Sequence, residues 1–127
     1  MEESWRGYRD LEVDLMRDPE TTFEMVKQEL ADFNAERDWD RYHNPKDLAV
    51  SISIESAELL ENFQWQPASK AGEVRKDSEK LERIKDEMAD LLIYLFIMSN
   101  QLDIDIASTV FDKIEKNKER FSIGTTF

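Results

Sequence analysis

Apolar positions along this chain recur at three- and four-residue intervals, the spacing of one face of an α-helix with about 3.6 residues per turn. Phe23, Val26, Leu30 and Phe33 mark a first core helix that ends near Arg37 and is opened by the capping pattern Thr21-x-x-Glu24. Leu48, Ile52, Leu59 and Phe63 mark a second, whose start is set by Asn44 as cap, Pro45 at the first helical position and Asp47 placed to answer the cap. Ile84, Met88, Leu91 and Leu95 stripe a third, from about Ser78 to Gln101. Its middle, Met88 to Met98, is apolar all round, which places it at the bundle centre or a subunit interface. After the joint Leu102-Asp103-Ile104-Asp105, Ile106, Val110 and Ile114 define a last helix of modest amphipathicity.

The remaining stretches read as connections. Asp38 to His43 is a linker dense in aromatic and polar groups. Gln66 to Lys76 is a connector whose Lys70, Arg75 and Lys76 either are plain surface charges or close over phosphates. Residues 1–20 carry Trp5, Tyr8, Leu11, Leu15 and Met16 before Pro19, which suits a docking arm or short helix better than disorder. The tail from Phe121 to Phe127 is irregular. The reading is a single domain over residues 1–127, all-α, a bundle of four to five helices.

Composition supports this. Three Gly and three Pro in 127 residues leave few turns, which disfavours a many-stranded sheet. The absence of Cys excludes disulfides and thiolate metal sites, and with no charged-then-apolar leader pattern or run of 18 apolar residues in view a cytoplasmic location is expected. A formal charge of −12 argues against binding a nucleic-acid polymer or an anionic membrane, because either needs clustered Lys and Arg. A small phosphorylated substrate is still compatible where cations reverse the field locally.

The candidate chemistry lies in the second and third helices. Glu55 falls inside the apolar stripe, three residues after Ile52 and four before Leu59, with Glu58 and Glu61 each one turn further. Glu87 and Asp90 repeat the spacing on the flank of the third stripe. Partly buried carboxylates that converge need a positive partner, since an uncompensated one costs several kcal/mol, roughly. Arg and Lys are scarce in these stripes. An all-oxygen donor set favours Mg²⁺, or Mn²⁺, over Zn²⁺.

Other residues have two readings each. Trp39, Tyr42 and His43 stack on a base or pack the helix junction. Lys113, Asn117 and Arg120 share one side of the last helix and bind phosphate or sugar, or form a solvated basic face. His43 is the only histidine, so one chain holds no histidine metal cluster. A di-iron bundle needs Glu-x-x-His on a helix, and Asp40-x-x-His43 precedes Pro45 in a linker. The rival of a different class is a non-catalytic acidic helical binding or oligomerisation module whose carboxylates meet a partner's Lys and Arg.

Taken together, Glu36-Arg37-Asp38-Trp39, His43, Pro45, Leu48, Glu55-x-x-Glu58, Phe63-Gln64-Trp65, Glu87-x-x-Asp90 and Lys113-x-x-x-Asn117 resemble the MazG-like all-α nucleoside triphosphate pyrophosphohydrolases, in particular the dCTP pyrophosphatase branch. Gln66 stands where that pattern usually carries Lys, and Phe121-Ser122 where Tyr-Pro often follows. The resemblance implies hydrolysis of a (deoxy)nucleoside triphosphate, dCTP-like or modified, to monophosphate and pyrophosphate. It also implies Mg²⁺ held by Glu55, Glu58, Glu87 and Asp90, and a homodimer or homotetramer. By position Trp39 and Trp65 would sandwich the base, Tyr94 and Asn117 would line the nucleotide site, and His43 matches a family position. Glu61 would orient or deprotonate the attacking water, or hydrogen-bond a metal ligand.

Overall fold

The computed structural model describes residues 16–124, and all regular structure among them is helical. Helix α1 spans Phe23–Glu36, α2 Pro45–Glu61, α3 Ser78–Leu102 and α4 Ile106–Arg120, with 3-10 turns at Asp18–Glu20, Asp40–Tyr42 and Ala68–Lys76. The expected docking arm falls mainly on residues 1–15, outside the described residues, as do tail residues 125–127.

Side-chain caps set where the helices begin. Asn44 Oδ1 accepts from the Asp47 N–H at 3.0 Å while its Nδ2 donates to Asp47 Oδ2 at 2.7 Å, with Pro45 opening α2. Asp77 caps α3 through the Lys80 N–H at 3.1 Å. Asp105 caps α4 through the Ser108 N–H at 2.8 Å, and that bond holds its carboxyl below the ordinary range. One cap falls a residue later than the Thr21-x-x-Glu24 pattern reads. Thr22 has the extended backbone a cap requires, and its hydroxyl accepts from the Met25 N–H at 3.2 Å. Glu24 then sits in the first turn, where a carboxylate complements the helix dipole.

The helix ends redirect the chain. At the end of α1, Asp38 takes a left-handed φ of 54°. The Asp38 N–H then donates to Ala35 O and the Trp39 N–H to Asn34 O, a Schellman closure. This turn brings Trp39 back edge-on to Phe33, with ring centroids 5.4 Å apart. Asp103 does the same for α3 with φ 56°, and α4 leaves at 104° to α3. The connector expected between α2 and α3 is largely the 3-10 run Ala68–Lys76, which lies against α3.

Helix α3 is the spine. It packs along α2 and against α1, whereas α4 packs substantially on none of them. Leu48, Ile84, Phe96 and Ile97 form the buried apolar core, and Phe23 meets Phe96 edge-on at 5.7 Å. Asn100 donates to Lys27 O, Lys27 Nζ to Ile104 O and Gln101 to His43 O, so polar ties lock α1 and the linker to the far end of α3. The apolar middle of α3 is not enclosed by its own chain: Met88 and Leu92 are each 51% exposed, and Ile93 and Leu95 are exposed as well. Of the stripe Ile84, Met88, Leu91 and Leu95, only Ile84 is buried. No single helix among the described residues is long and apolar enough to cross a membrane.

Candidate metal centre

The close packing of α2 on α3 brings one carboxylate oxygen from each of Glu55, Glu58 and Glu87 within 4.8 Å of the others. The three-residue step on α2 sets Glu55 and Glu58 on one face, and Glu87 meets them from α3. All three are half-buried. Glu55 Oε2 and Glu87 Oε2 are buried and, with both groups ionised, face no hydrogen-bond donor. The Glu55 carboxyl is pushed up to about 7, first by the Glu87 carboxylate at hydrogen-bonding range, then by burial, then by Glu58 and the charge of Asp90. Among the described residues no Lys or Arg forms an ion pair with this group.

Three converging carboxylates, two of which carry a buried oxygen without a donor, suit a hard divalent cation. With metal–oxygen distances of roughly 2.0–2.1 Å, opposite ligands of Mg²⁺ stand about 4 Å apart, a span this cluster already offers. Asp90, expected as a fourth ligand, is exposed and stands outside the trio, although its charge reaches Glu55. Glu61 is exposed and lines a cavity of about 470 Å³ together with Glu58, Asn62, Lys80, Arg83 and Glu87.

The residues expected to hold a nucleotide are not gathered in the same way. Trp39 is 43% exposed, with one edge on Phe33, and Trp65 is 88% exposed just beyond α2. His43 is half-buried, with Nδ1 lacking a partner and its carbonyl accepting from Gln101. Tyr94 is half-buried one turn beyond Asp90, and Lys113 and Asn117 are exposed on α4. None of these six lines the acidic cavity. Asn62, Lys80 and Arg83 do, and sequence reasoning passed over them. The signal was present: Lys80, Arg83, Glu87, Asp90 and Tyr94 follow one another at alternating three- and four-residue steps along α3.

Comparison with known proteins assigns a family to this fold. The model of the MazG-like family matches residues 50–126, which carry both acidic pairs. The chain is 31% identical over 105 residues to dCTP pyrophosphatase 1 of Rattus norvegicus and 32% identical over 103 residues to that of Homo sapiens. These alignments take in 83% and 81% of this chain but 62% and 61% of the relatives, so the chain spans less than two thirds of their length. The crystal structure of a pyrophosphatase from Archaeoglobus fulgidus DSM 4304 is similar with a TM-score of 0.66 and 41% identity, covering 78% of this chain and 91% of that one. An acidic pair on each of two packed helices, a family model over most of the chain and a shared fold lead to one conclusion: this chain belongs to the MazG-like family.

Proposed function

We propose that this protein hydrolyses (deoxy)nucleoside triphosphates, dCTP-like or carrying a modified base, to nucleoside monophosphate and pyrophosphate, and so serves control of the nucleotide pool. The cofactor is Mg²⁺, with Mn²⁺ as a substitute. The observation that carries this reading is the convergence of Glu55, Glu58 and Glu87 with buried, unpartnered oxygens on two of them. The names of the relatives, dCTP pyrophosphatase and pyrophosphatase, support the reaction class.

Glu55, Glu58 and Glu87 hold the cation, with Asp90 one turn from Glu87 as the fourth carboxylate. When bound, a divalent cation supplies Lewis acidity, neutralising phosphate charge and easing ionisation of water. Glu61, on the cavity wall one turn beyond Glu58, receives the water proton or steadies a ligand carboxylate. The base lies between Trp39 and Trp65, with His43, Tyr94, Lys113 and Asn117 completing the nucleotide site. These groups are brought together in a homodimer or homotetramer whose contacts cover the exposed Met88, Leu92, Val110 and Phe111.

Pyrophosphate release from a panel of canonical and modified triphosphates tests the reaction and the base together. Turnover in Mg²⁺ that stops on chelation is expected, with Glu58→Gln inactive and normally helical. A wild-type protein that binds partners but releases no pyrophosphate would be the non-catalytic acidic module instead.

A further inference from the structure

The face of α3 that carries the metal-side carboxylates continues toward the helix N-terminus with two cations. Lys80, Arg83, Glu87, Asp90 and Tyr94 repeat at three- and four-residue steps, so they lie along one side of the helix over about 21 Å at 1.5 Å per residue. The order is two bases, two acids and an aromatic ring. Lys80 and Arg83 share the wall of the 470 Å³ cavity with Glu58, Glu61 and Glu87.

Among the described residues neither side-chain cation is engaged elsewhere. Among the described residues, Lys80 and Arg83 take part in no ion pair, although Arg83 stands one turn before Glu87. Lys85, on the same helix, is paired with Glu82 at 2.9 Å and stands outside the cavity wall. Two unpaired cations beside an acidic cluster, in a protein with a net charge of −12, suit a ligand with a dense anionic end.

The geometry points to Lys80 and Arg83 as the site for the leaving pyrophosphate, the β- and γ-phosphates of the bound triphosphate. The inference rests on the hydrolase reading above and adds a direction to it: the phosphate tail runs toward the start of α3 and the nucleoside toward Tyr94. As water oxygen bonds to the α-phosphorus, the bond from that phosphorus to the bridging oxygen breaks. Its electron pair departs with pyrophosphate, and the water proton passes to Glu61 or solvent. Negative charge thus grows at the end of the ligand where the two cations stand, and a guanidinium matches phosphate oxygens in bidentate fashion.

The test is calorimetric titration of magnesium pyrophosphate, and separately of dCMP, into the wild type, the double variant K80A/R83A and the control K85A, with dCTP turnover measured on each. Pyrophosphate affinity is expected to fall at least tenfold in K80A/R83A, with dCMP affinity within twofold and K85A unchanged. R83K should recover part of the loss, and it replaces the double variant if that one misfolds. Equal pyrophosphate affinity in wild type and variants, or an equal loss for both ligands, overturns the inference while leaving wild-type turnover and the hydrolase reading intact. Wild type without turnover that still binds magnesium pyrophosphate through these cations overturns the hydrolase reading alone.

Discussion

The two halves of the molecule are built to different degrees of completeness. Where α2 lies on α3, one chain already gathers Glu55, Glu58 and Glu87 around a shared point. At α4 the same chain leaves Phe111 68% exposed and presents Lys113 and Asn117 to solvent, with no substantial packing on any other helix. The difference separates two tasks. A cage for a cation needs only two helices in register, which local spacing and one seam of contacts supply. The nucleotide site proposed above also needs Trp39, Trp65, Lys113 and Asn117, which a single chain leaves exposed and outside the acidic cavity.

Substitution in the cage should have the largest effect. Glu58→Gln is expected to lower turnover by more than about 100-fold, beyond what loss of a residue supporting a metal ligand costs, with an unchanged far-ultraviolet spectrum. Comparable activity in that variant would place the chemistry elsewhere. Charging the apolar face of α3 comes next and separates the halves. If the proposed assembly forms through this face, Leu92→Glu should dissociate it in sedimentation velocity and cut turnover, while Mg²⁺ binding to each chain persists, because Leu92 is 51% exposed and lies outside the trio. Loss of Mg²⁺ binding along with assembly would mean that the cage too depends on a second copy.

The pH dependence of the metal-free protein is a finer probe of the cage. Glu55 titrates at about 7 in the fold against an ordinary value of 4.5. Below pH 4.5 it is protonated folded or unfolded and makes no difference. Between 4.5 and about 7 only the unfolded chain ionises it, so stability in urea should decline as pH rises through this window and level off above it. Glu55→Gln should flatten that decline. Magnesium binding at pH 6 should release a proton, seen as a buffer-dependent heat. The smallest expected change is at the turn between the halves. Asp103 holds a left-handed φ of 56°, so Asp103→Gly should alter stability by no more than about 1 kcal/mol, in the stabilising direction, by thermal unfolding.

What was legible in the sequence follows the range of the forces involved. Asn44, Pro45 and Asp47 announce α2 because a cap is decided within four residues, and the Glu-x-x-Glu and Glu-x-x-Asp steps reveal a shared face for the same reason. Thr21 and Thr22 are chemically alike, so only the backbone angles decide which one caps α1. The 3-10 run Ala68–Lys76 has no strong residue signature, so Gln66 to Lys76 reads only as a connector. Helical periodicity identifies the apolar side of α3 but not what covers it, which is why Met88 and Leu95 read equally as bundle centre or subunit interface and are exposed in the single chain. Lys80 and Arg83 are hidden in the stretch Asp77 to Asp86, where every charged side chain reads as solvated until α2 is set beside it.

Manganese can stand for magnesium as a spectroscopic probe, which allows the cage to be tested without any substrate. Titration of Mn²⁺ followed by electron paramagnetic resonance, on the wild type and on a Glu55→Gln/Glu87→Gln variant, bears most directly on the assignment. Saturable binding in the wild type and its loss in the variant are expected. Binding of equal strength in both proteins would contradict the acidic seam between α2 and α3 as the metal centre.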